Sequence, residues 1–152
     1  MSAKPVLLSL LFILLACKIS FAQSSPEDII NKFFDLYKRD GSDKALDYIF
    51  STNKYSGDSQ EAINTLKENL RKTVSFDGAF CGYEPLSRKS AGQSFVMLTF
   101  LVKHDRDPLT FRVVFYKPID KWQVQNFKFD NKMDDELEEA SKGYRLKENS
   151  EK

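Results

Sequence analysis

Histidine, cysteine and tryptophan are scarce in this chain: its 152 residues include one histidine, two cysteines and one tryptophan. A single histidine, His104, removes most metal-site and catalytic-triad arrangements, because these use histidine as a ligand or as a base. The sequence also lacks a phosphate-binding loop, a dinucleotide fingerprint, zinc-ligand spacing and a Gly-x-Ser-x-Gly elbow. It therefore carries no catalytic signature, and we predict no cofactor and no metal.

Charge of one sign is not in excess either. The chain carries 23 lysines and arginines against 22 aspartates and glutamates, a formal net charge of +1, and it has no basic block. Nucleic-acid binding requires a concentrated positive surface. The sequence therefore gives no electrostatic case for a nucleic-acid partner.

The one long apolar run lies at the N-terminus. Lys4 precedes the apolar residues 6–17, and small residues precede Gln23. This arrangement is typical of a secretory signal peptide, and the run is shorter than the roughly 20 residues of a bilayer span. We predict a signal peptide over 1–22, cleavage between Ala22 and Gln23, and an exported protein that is periplasmic or secreted.

A second interpretation of the leader remains open. Residues 14–17 (LLAC) resemble a bacterial lipobox, in which a lipid on Cys17 would anchor the protein to a membrane. Without that lipid we expect no membrane contact. If the chain is instead cut after Ala22, Cys81 is the one cysteine left, and the domain must be stabilised by packing without an internal disulfide.

The first half of the chain predicts helices. Ser25 can cap a helix, Pro26 suits the first helical position, and Gly41 can end that helix. Two more helices are predicted on either side of the polar loop 51–58. Their apolar residues recur at helical spacing: Ile29, Ile30, Phe33, Leu36 and Tyr37, then Ala45, Leu46, Ile49 and Phe50, then Ile63, Leu66, Leu70 and Val74.

The second half predicts an antiparallel sheet, because the apolar pattern alternates after residue 78 and the connections are short. The predicted strands cover 79–89, 95–104, 109–117 and 122–130. The fold class is α+β, with N-terminal helices packed on a curved antiparallel sheet of about four strands in a domain over 23–130. The charged tail, 131–152, is predicted to be partly helical, over 133–141, and otherwise disordered.

Alternation along each strand assigns residues to the two faces of the sheet. The predicted core face consists of Phe95, Met97, Leu101, Phe111, Val113, Phe115, Trp122 and Val124. The other face is an apolar patch with a polar rim, which is typical of a protein interface. We predict that a homodimer forms through five of its residues: Val96, Leu98, Phe100, Val114 and Tyr116. The apolar phase slips in the last strand, which predicts a β-bulge near Asn126.

Helices followed by a bent antiparallel sheet that ends in the aromatic Trp122 strand resemble the NTF2-like (cystatin-like) α+β cone. The resemblance covers nearly all of the chain after the leader. It implies a sheet wrapped around the helices, a pocket at the wide end of the cone, and dimers through the outer sheet face. It does not choose between an enzyme and a binding protein, because the fold hosts both.

Four residues are predicted to lie at the pocket: Tyr37, Tyr48, Tyr83 and Glu84. The tyrosines could line its mouth. Glu84 lies within a strand and has no turn role, so it is the candidate pocket acid of an isomerase- or cyclase-type enzyme. We predict a non-enzymatic module that binds a small apolar ligand or a protein partner. An enzyme with a pocket acid and a lipid-anchored envelope protein are the alternatives.

One nucleophile pair is also conceivable. If the first hairpin turns near Ala91, Cys81 and His104 become diagonal neighbours on one face, within about 8 Å. Such a pair could act as a nucleophile and its base. We therefore keep it as a hypothesis and name no catalytic residue.

Overall fold

The protein has the predicted α+β fold, in which helices precede a curved four-stranded antiparallel sheet. The computed structural model describes residues 24–150. In chain order the elements are α1 (Pro26–Asp40), α2 (Ser42–Ser51), a 3-10 helix (Ser56–Ser59), α3 (Gln60–Asp77), β1 (Phe80–Ala91), β2 (Phe95–His104), β3 (Leu109–Tyr116), β4 (Gln123–Asp130) and α4 (Met133–Ser150). The strands lie side by side in sequence order. Within the described range, no helix combines the length and apolar character that crossing a membrane requires.

Both ends of α1 lie where the sequence predicts them. The Ser25 hydroxyl accepts a hydrogen bond from the backbone N–H of Asp28, and the Asp28 carboxylate accepts one from the backbone N–H of Ser25. The hydrogen bonds that the Asp28 carboxylate accepts from the N–H and the hydroxyl of Ser25 hold the pKa of Asp28 below its ordinary value. At the other end, the N–H of Gly41 donates to the carbonyl of Tyr37, and the positive φ of +87° at Gly41 turns the chain into α2.

The predicted bulge in the last strand is confirmed. Val114 pairs with Asn126, and Phe115 pairs with Val124, so Gln125 has no partner in the ladder. An extra residue on one strand bends the sheet and reverses which face the following side chains occupy. Val124 and Phe127 are therefore both buried, although they lie three positions apart along β4 and would face opposite sides of a regular strand.

The predicted assignment of β2 to its faces is wrong. Val96, Leu98 and Phe100 are buried against the helices, whereas Phe95 is 41% exposed. The cause is the register, which pairs Val96 with Phe115 and therefore places both side chains on the core face. A slip of one residue in the expected register moves every side chain of a strand to the opposite face of the sheet. Because β2 is apolar on both faces, its sequence alone did not reveal which face is buried.

This correction changes the predicted dimer face. Val96, Leu98 and Phe100 cannot form it, because they belong to the core. Only Val114 and Tyr116 of that set lie on the outer face, where they pair with Met97 and Phe95.

Aromatic side chains fill the space between α1 and the sheet. Phe111 of β3 is fully buried and lies 5.1 to 6.3 Å, ring centre to ring centre, from five other aromatic rings: Phe33, Phe34, Tyr37, Phe127 and Phe129. Four of these five contacts, all but that with Phe34, are edge-to-face, a geometry that adds stability beyond the burial of area. The space between α1 and the sheet is therefore filled with protein side chains.

The tail is more regular than predicted. Helix α4 extends over Met133–Ser150, beyond the predicted end at residue 141. Its first turn is held beside the sheet by an ion pair between Glu136 and Arg112 of β3, which also pairs with Asp130 of β4.

Candidate functional site

An apolar cleft of about 370 Å³ opens between the start of α1 and the middle of β1. Its floor is formed by Leu98 and Phe100 of β2, which face the helices. Its walls come from β1 and from the first turn of α1. The full lining is Glu27, Pro85, Leu86, Ser87, Arg88, Leu98 and Phe100.

A β-bulge in β1 shapes this cleft. Pro85 pairs with Phe100 and Ser87 pairs with Thr99, so Leu86 is the extra residue. β1 is an edge strand, where proline is tolerated because no neighbouring strand needs its missing N–H. The bulge bends the edge, and Leu86 remains 45% exposed at the cleft. An apolar side chain is thus available to a ligand.

One ion pair borders the cleft. Arg88 Nε lies 3.1 Å from Glu27 Oε1 and links β1 to α1, with both side chains about half exposed. An ion pair this open to water contributes little to stability, about 0–1 kcal/mol. Its effect is to place one cationic and one anionic group beside apolar walls.

The predicted pocket residues do not line the cleft. Tyr37 and Tyr83 instead belong to the aromatic core: the Tyr83 ring stacks on Phe34 with 3.7 Å between ring centres, and its hydroxyl donates to Asn31 Oδ1 at 3.1 Å. Tyr48 packs at the core edge with the Lys32 ammonium 4.5 Å from its ring centre. These three tyrosines are therefore structural in this fold.

Glu84 does not face a pocket either. It pairs with Leu101 on the outer face of the sheet, where its carboxylate forms a 2.8 Å ion pair with the Lys103 ammonium. Its side chain is more than half exposed. A general acid in a neutral-pH enzyme needs a raised pKa, which burial among apolar groups would provide. Glu84 lacks that environment.

The hypothesis of a Cys81–His104 pair is wrong. The ladder shifts between Phe80 and Gly82, so Cys81 is the extra residue of another bulge, exposed to water, with its thiol 3.4 Å from the carbonyl of Ala79. His104 is buried and pairs across the ladder with Phe80. The bulge separates the two side chains that a regular hairpin would have brought together.

The sequence analysis missed a buried polar cluster formed by Tyr37, Asp77 and His104. The Tyr37 hydroxyl lies 3.2 Å from His104 Nε2. Burial raises the pKa values of Tyr37 and Asp77 and lowers the pKa of His104. The charges of Asp77 and His104 attract each other, which partly offsets the effect of burial on both of these groups. Among the described residues, His104 Nδ1 and Asp77 Oδ2 are buried without a hydrogen-bond partner.

Only the topology joins this cluster, because α1, the end of α3 and the end of β2 contribute one residue each. In the sequence, the one sign of this cluster was a lone histidine at a strand end opposite an aromatic residue, and that pattern is too weak to predict a polar cluster. None of the three side chains lines the apolar cleft. The described residues also contain no cluster of three or more potential ligands that could hold a metal ion.

We expect the cluster to make stability depend on pH. Since burial lowers the pKa of His104, the unfolded chain takes up a proton there more readily than the folded protein. The free energy of unfolding should therefore fall as the pH is lowered through about 6.5. Asp77, whose pKa is raised, acts in the opposite direction at lower pH, because there the folded protein holds the extra proton. Urea unfolding between about pH 8 and about pH 5 measures the slope.

His104→Gln is the matched variant, since its amide can still meet the Tyr37 hydroxyl. It should flatten the pH dependence near 6.5 relative to the unaltered protein. Equal slopes in the two proteins would contradict the assignment of that dependence to His104.

Comparison of the chain with protein-family models, with curated proteins and with solved structures finds no match. The site must therefore be interpreted from its own geometry.

Proposed function

We propose that this chain is an exported, non-enzymatic binding domain of NTF2-like architecture, and that it takes a small apolar ligand in the cleft beside β1. The observation that carries this proposal is the apolar cleft bordered by the Glu27–Arg88 ion pair. The interpretation of the leader as an export signal supports the localisation. Both N-terminal alternatives, cleavage before Gln23 and a lipid on Cys17, lie outside the described residues.

The cleft indicates the kind of ligand. Its volume of about 370 Å³ falls at the small end of the range of about 300–1,000 Å³ that is usual for ligand sites. Pro85, Leu86 and Phe100 offer apolar contacts, and the ion pair offers one charge of each sign at the border. These features suit an amphiphile with an apolar body and one polar end.

A binding role fits the cleft better than catalysis does. Glu27 is its one carboxylate, and that group is half exposed and already paired with Arg88. The buried Tyr37–His104–Asp77 cluster has the altered pKa values expected of catalytic groups, but it does not line this cleft.

The cleft is tested by replacing Leu86 with aspartate. We expect the fluorescent amphiphile 1-anilinonaphthalene-8-sulfonate to bind the unaltered protein, and Leu86→Asp to weaken that binding at least about tenfold, a loss of about 1.4 kcal/mol. The physical reason is that an unpaired charge would replace an apolar wall. Leu86 is 45% exposed, so the substitution leaves the core intact.

Ile119→Asp is the matched control, because Ile119 is 88% exposed in the β3–β4 connection and does not line the cleft. It should bind the dye as the unaltered protein does. Equal losses in both variants, or no dye binding by the unaltered protein, would refute the proposed ligand site.

A further inference from the structure

A second cleft, of about 290 Å³, opens at the β4 edge of the sheet, whereas the apolar cleft lies at the β1 edge. It lies between the connection from α2 to α3 and the start of β4, and we call the space bounded by Tyr55, Ile63 and Gln125 the edge cleft. The buried side chains of Ile63 and Val124 line it together with polar side chains. It therefore offers a ligand both apolar contact and hydrogen-bonding groups.

Side-chain hydrogen bonds hold the α2–α3 connection against β4. Asn53 Nδ2 donates to the carbonyl of Val124 at 2.9 Å, and the N–H of Val124 donates to Thr52 Oγ1 at 3.0 Å. The Ser56 hydroxyl donates to the carbonyl of Phe50 at 2.6 Å. A site whose walls are fixed in advance loses less conformational entropy when a ligand binds. The edge cleft is therefore organised before any ligand arrives.

Four polar side chains of the edge cleft remain available to a ligand. The hydroxyls of Tyr55 and Ser59, the carboxylate of Asp58 and the amide of Gln125 are exposed, and they form no hydrogen bond or ion pair with another described residue. Gln125 is the extra residue of the β4 bulge, and bulges at sheet edges commonly redirect a side chain toward a binding site.

Tyr55 adds an exposed aromatic ring to these polar groups. It is 60% exposed, and the Lys54 ammonium lies 4.8 Å from its ring centre. A ring bordered by carboxylate, amide and hydroxyl groups suits a sugar. The apolar C–H groups of a pyranose can lie on the aromatic face, while its hydroxyls both donate to and accept from the polar side chains.

The charges beside the edge cleft favour an uncharged ligand. Asp58 would repel an anion, and a cation drawn to the Tyr55 ring would meet the Lys54 ammonium that already lies there. One charge of each sign leaves the site close to neutral. Hydroxyl groups can bond to both charges without adding a third.

A neighbouring cleft extends the edge cleft. It has a volume of about 360 Å³ and shares Phe50, Asn53, Ser56 and Ile63 with the edge cleft. Its further lining is mainly polar and includes Gln60. Two adjoining clefts suit a chain of linked units better than one compact molecule.

We infer that the edge cleft and its neighbour bind a short, uncharged oligosaccharide, with one sugar ring on Tyr55 and sugar hydroxyls bonded to Asp58 and Gln125. This site goes beyond the proposed amphiphile site. The two share no lining residue, so either can fail without the other.

Titration of the purified, isotope-labelled protein with maltotetraose, cellotetraose and chitotetraose, followed by NMR of the backbone amides, tests the inference. We expect at least one of these sugars to shift the amides of Tyr55, Asp58 and Gln125, with a dissociation constant of about 0.1–1 mM. The corresponding monosaccharide should bind at least about tenfold more weakly, because it can occupy only one of the two clefts.

Tyr55→Ala should raise the dissociation constant for that sugar at least about tenfold, whereas Tyr55→Phe, which keeps the ring, should stay within about threefold of the unaltered protein. Phe76→Ala is the matched control. Phe76 is 64% exposed, and Arg106 Cζ lies 4.8 Å from its ring centre, but it lines neither cleft. This variant should bind the sugar with unchanged affinity, and the NMR spectra show directly that each variant is folded.

Three results would overturn the inference. The first is the absence of amide shifts at the edge cleft with all three sugars. The second is an unchanged affinity in Tyr55→Ala, because the sugar would then bind elsewhere. The third is tighter binding of tetramethylammonium than of every sugar at Tyr55, which would make the site one for cations.

Discussion

Replacement of Phe111 by alanine should lower the free energy of unfolding by about 3–5 kcal/mol. Phe111 has no exposed surface and contacts rings from α1 and from β4. The substitution removes a large apolar side chain and leaves a cavity whose walls cannot close completely, because both neighbouring elements are held by their own hydrogen bonds. Urea denaturation at fixed pH and protein concentration measures the loss.

Phe95→Ala is the informative control for this prediction. The sequence pattern placed Phe95 and Phe111 on the same core face, whereas the structure leaves Phe95 41% exposed on the outer face. We expect this variant to lose about 1 kcal/mol, as is usual outside a core. Similar losses in both variants would favour the original face assignment over the observed register.

Replacement of Gly78 by alanine should lower the free energy of unfolding by about 4 kcal/mol. Gly78 ends α3 with φ of +92°, a conformation that residues with a Cβ rarely adopt. A Cβ at this position would also come within 1.7 Å of Asp105 Oδ1. That oxygen accepts a 2.8 Å hydrogen bond from the N–H of Ala79, so moving Asp105 would break the bond.

Gly41→Ala separates the cost of backbone strain from the cost of the contact with Asp105. Gly41 ends α1 with a similar φ of +87°, but a Cβ there would meet nothing within 4 Å. It should therefore cost only the backbone strain, about 2 kcal/mol. Thermal or urea unfolding of the two variants gives the difference, and equal losses would show that the Asp105 contact contributes nothing.

The elements of the fold could be predicted closely from the sequence because their signals are local. Ser25, Pro26 and Gly41 act within one helical turn, and each strand begins and ends within two residues of its predicted limits. The bulge near Asn126 was also visible, since a break in alternation shows in the strand itself. Caps, turns and alternation depend on neighbours in sequence.

The candidate site could not be predicted in the same way. Its cleft depends on the bulge at Leu86, and β1 has no clear alternation that would reveal an extra residue. The bulge at Cys81 likewise separated that residue from His104. Each of these wrong predictions concerned which residues of neighbouring strands lie opposite each other. The pairing between strands decides this, and a single strand's sequence does not show it.

The sequence by itself determined that the chain is poor in histidine and cysteine and that helices precede an antiparallel sheet, and it predicts an export-type leader. The tertiary structure decided which face of β2 is buried, where the apolar cleft opens, and that the Tyr37 hydroxyl contacts His104 within reach of the charge of Asp77. The physical reason is the apolar character of β2 on both faces, with Met97 and Leu98 equally suited to a core. When both faces suit burial, only the register against β3 and the packing of α1 can choose between them.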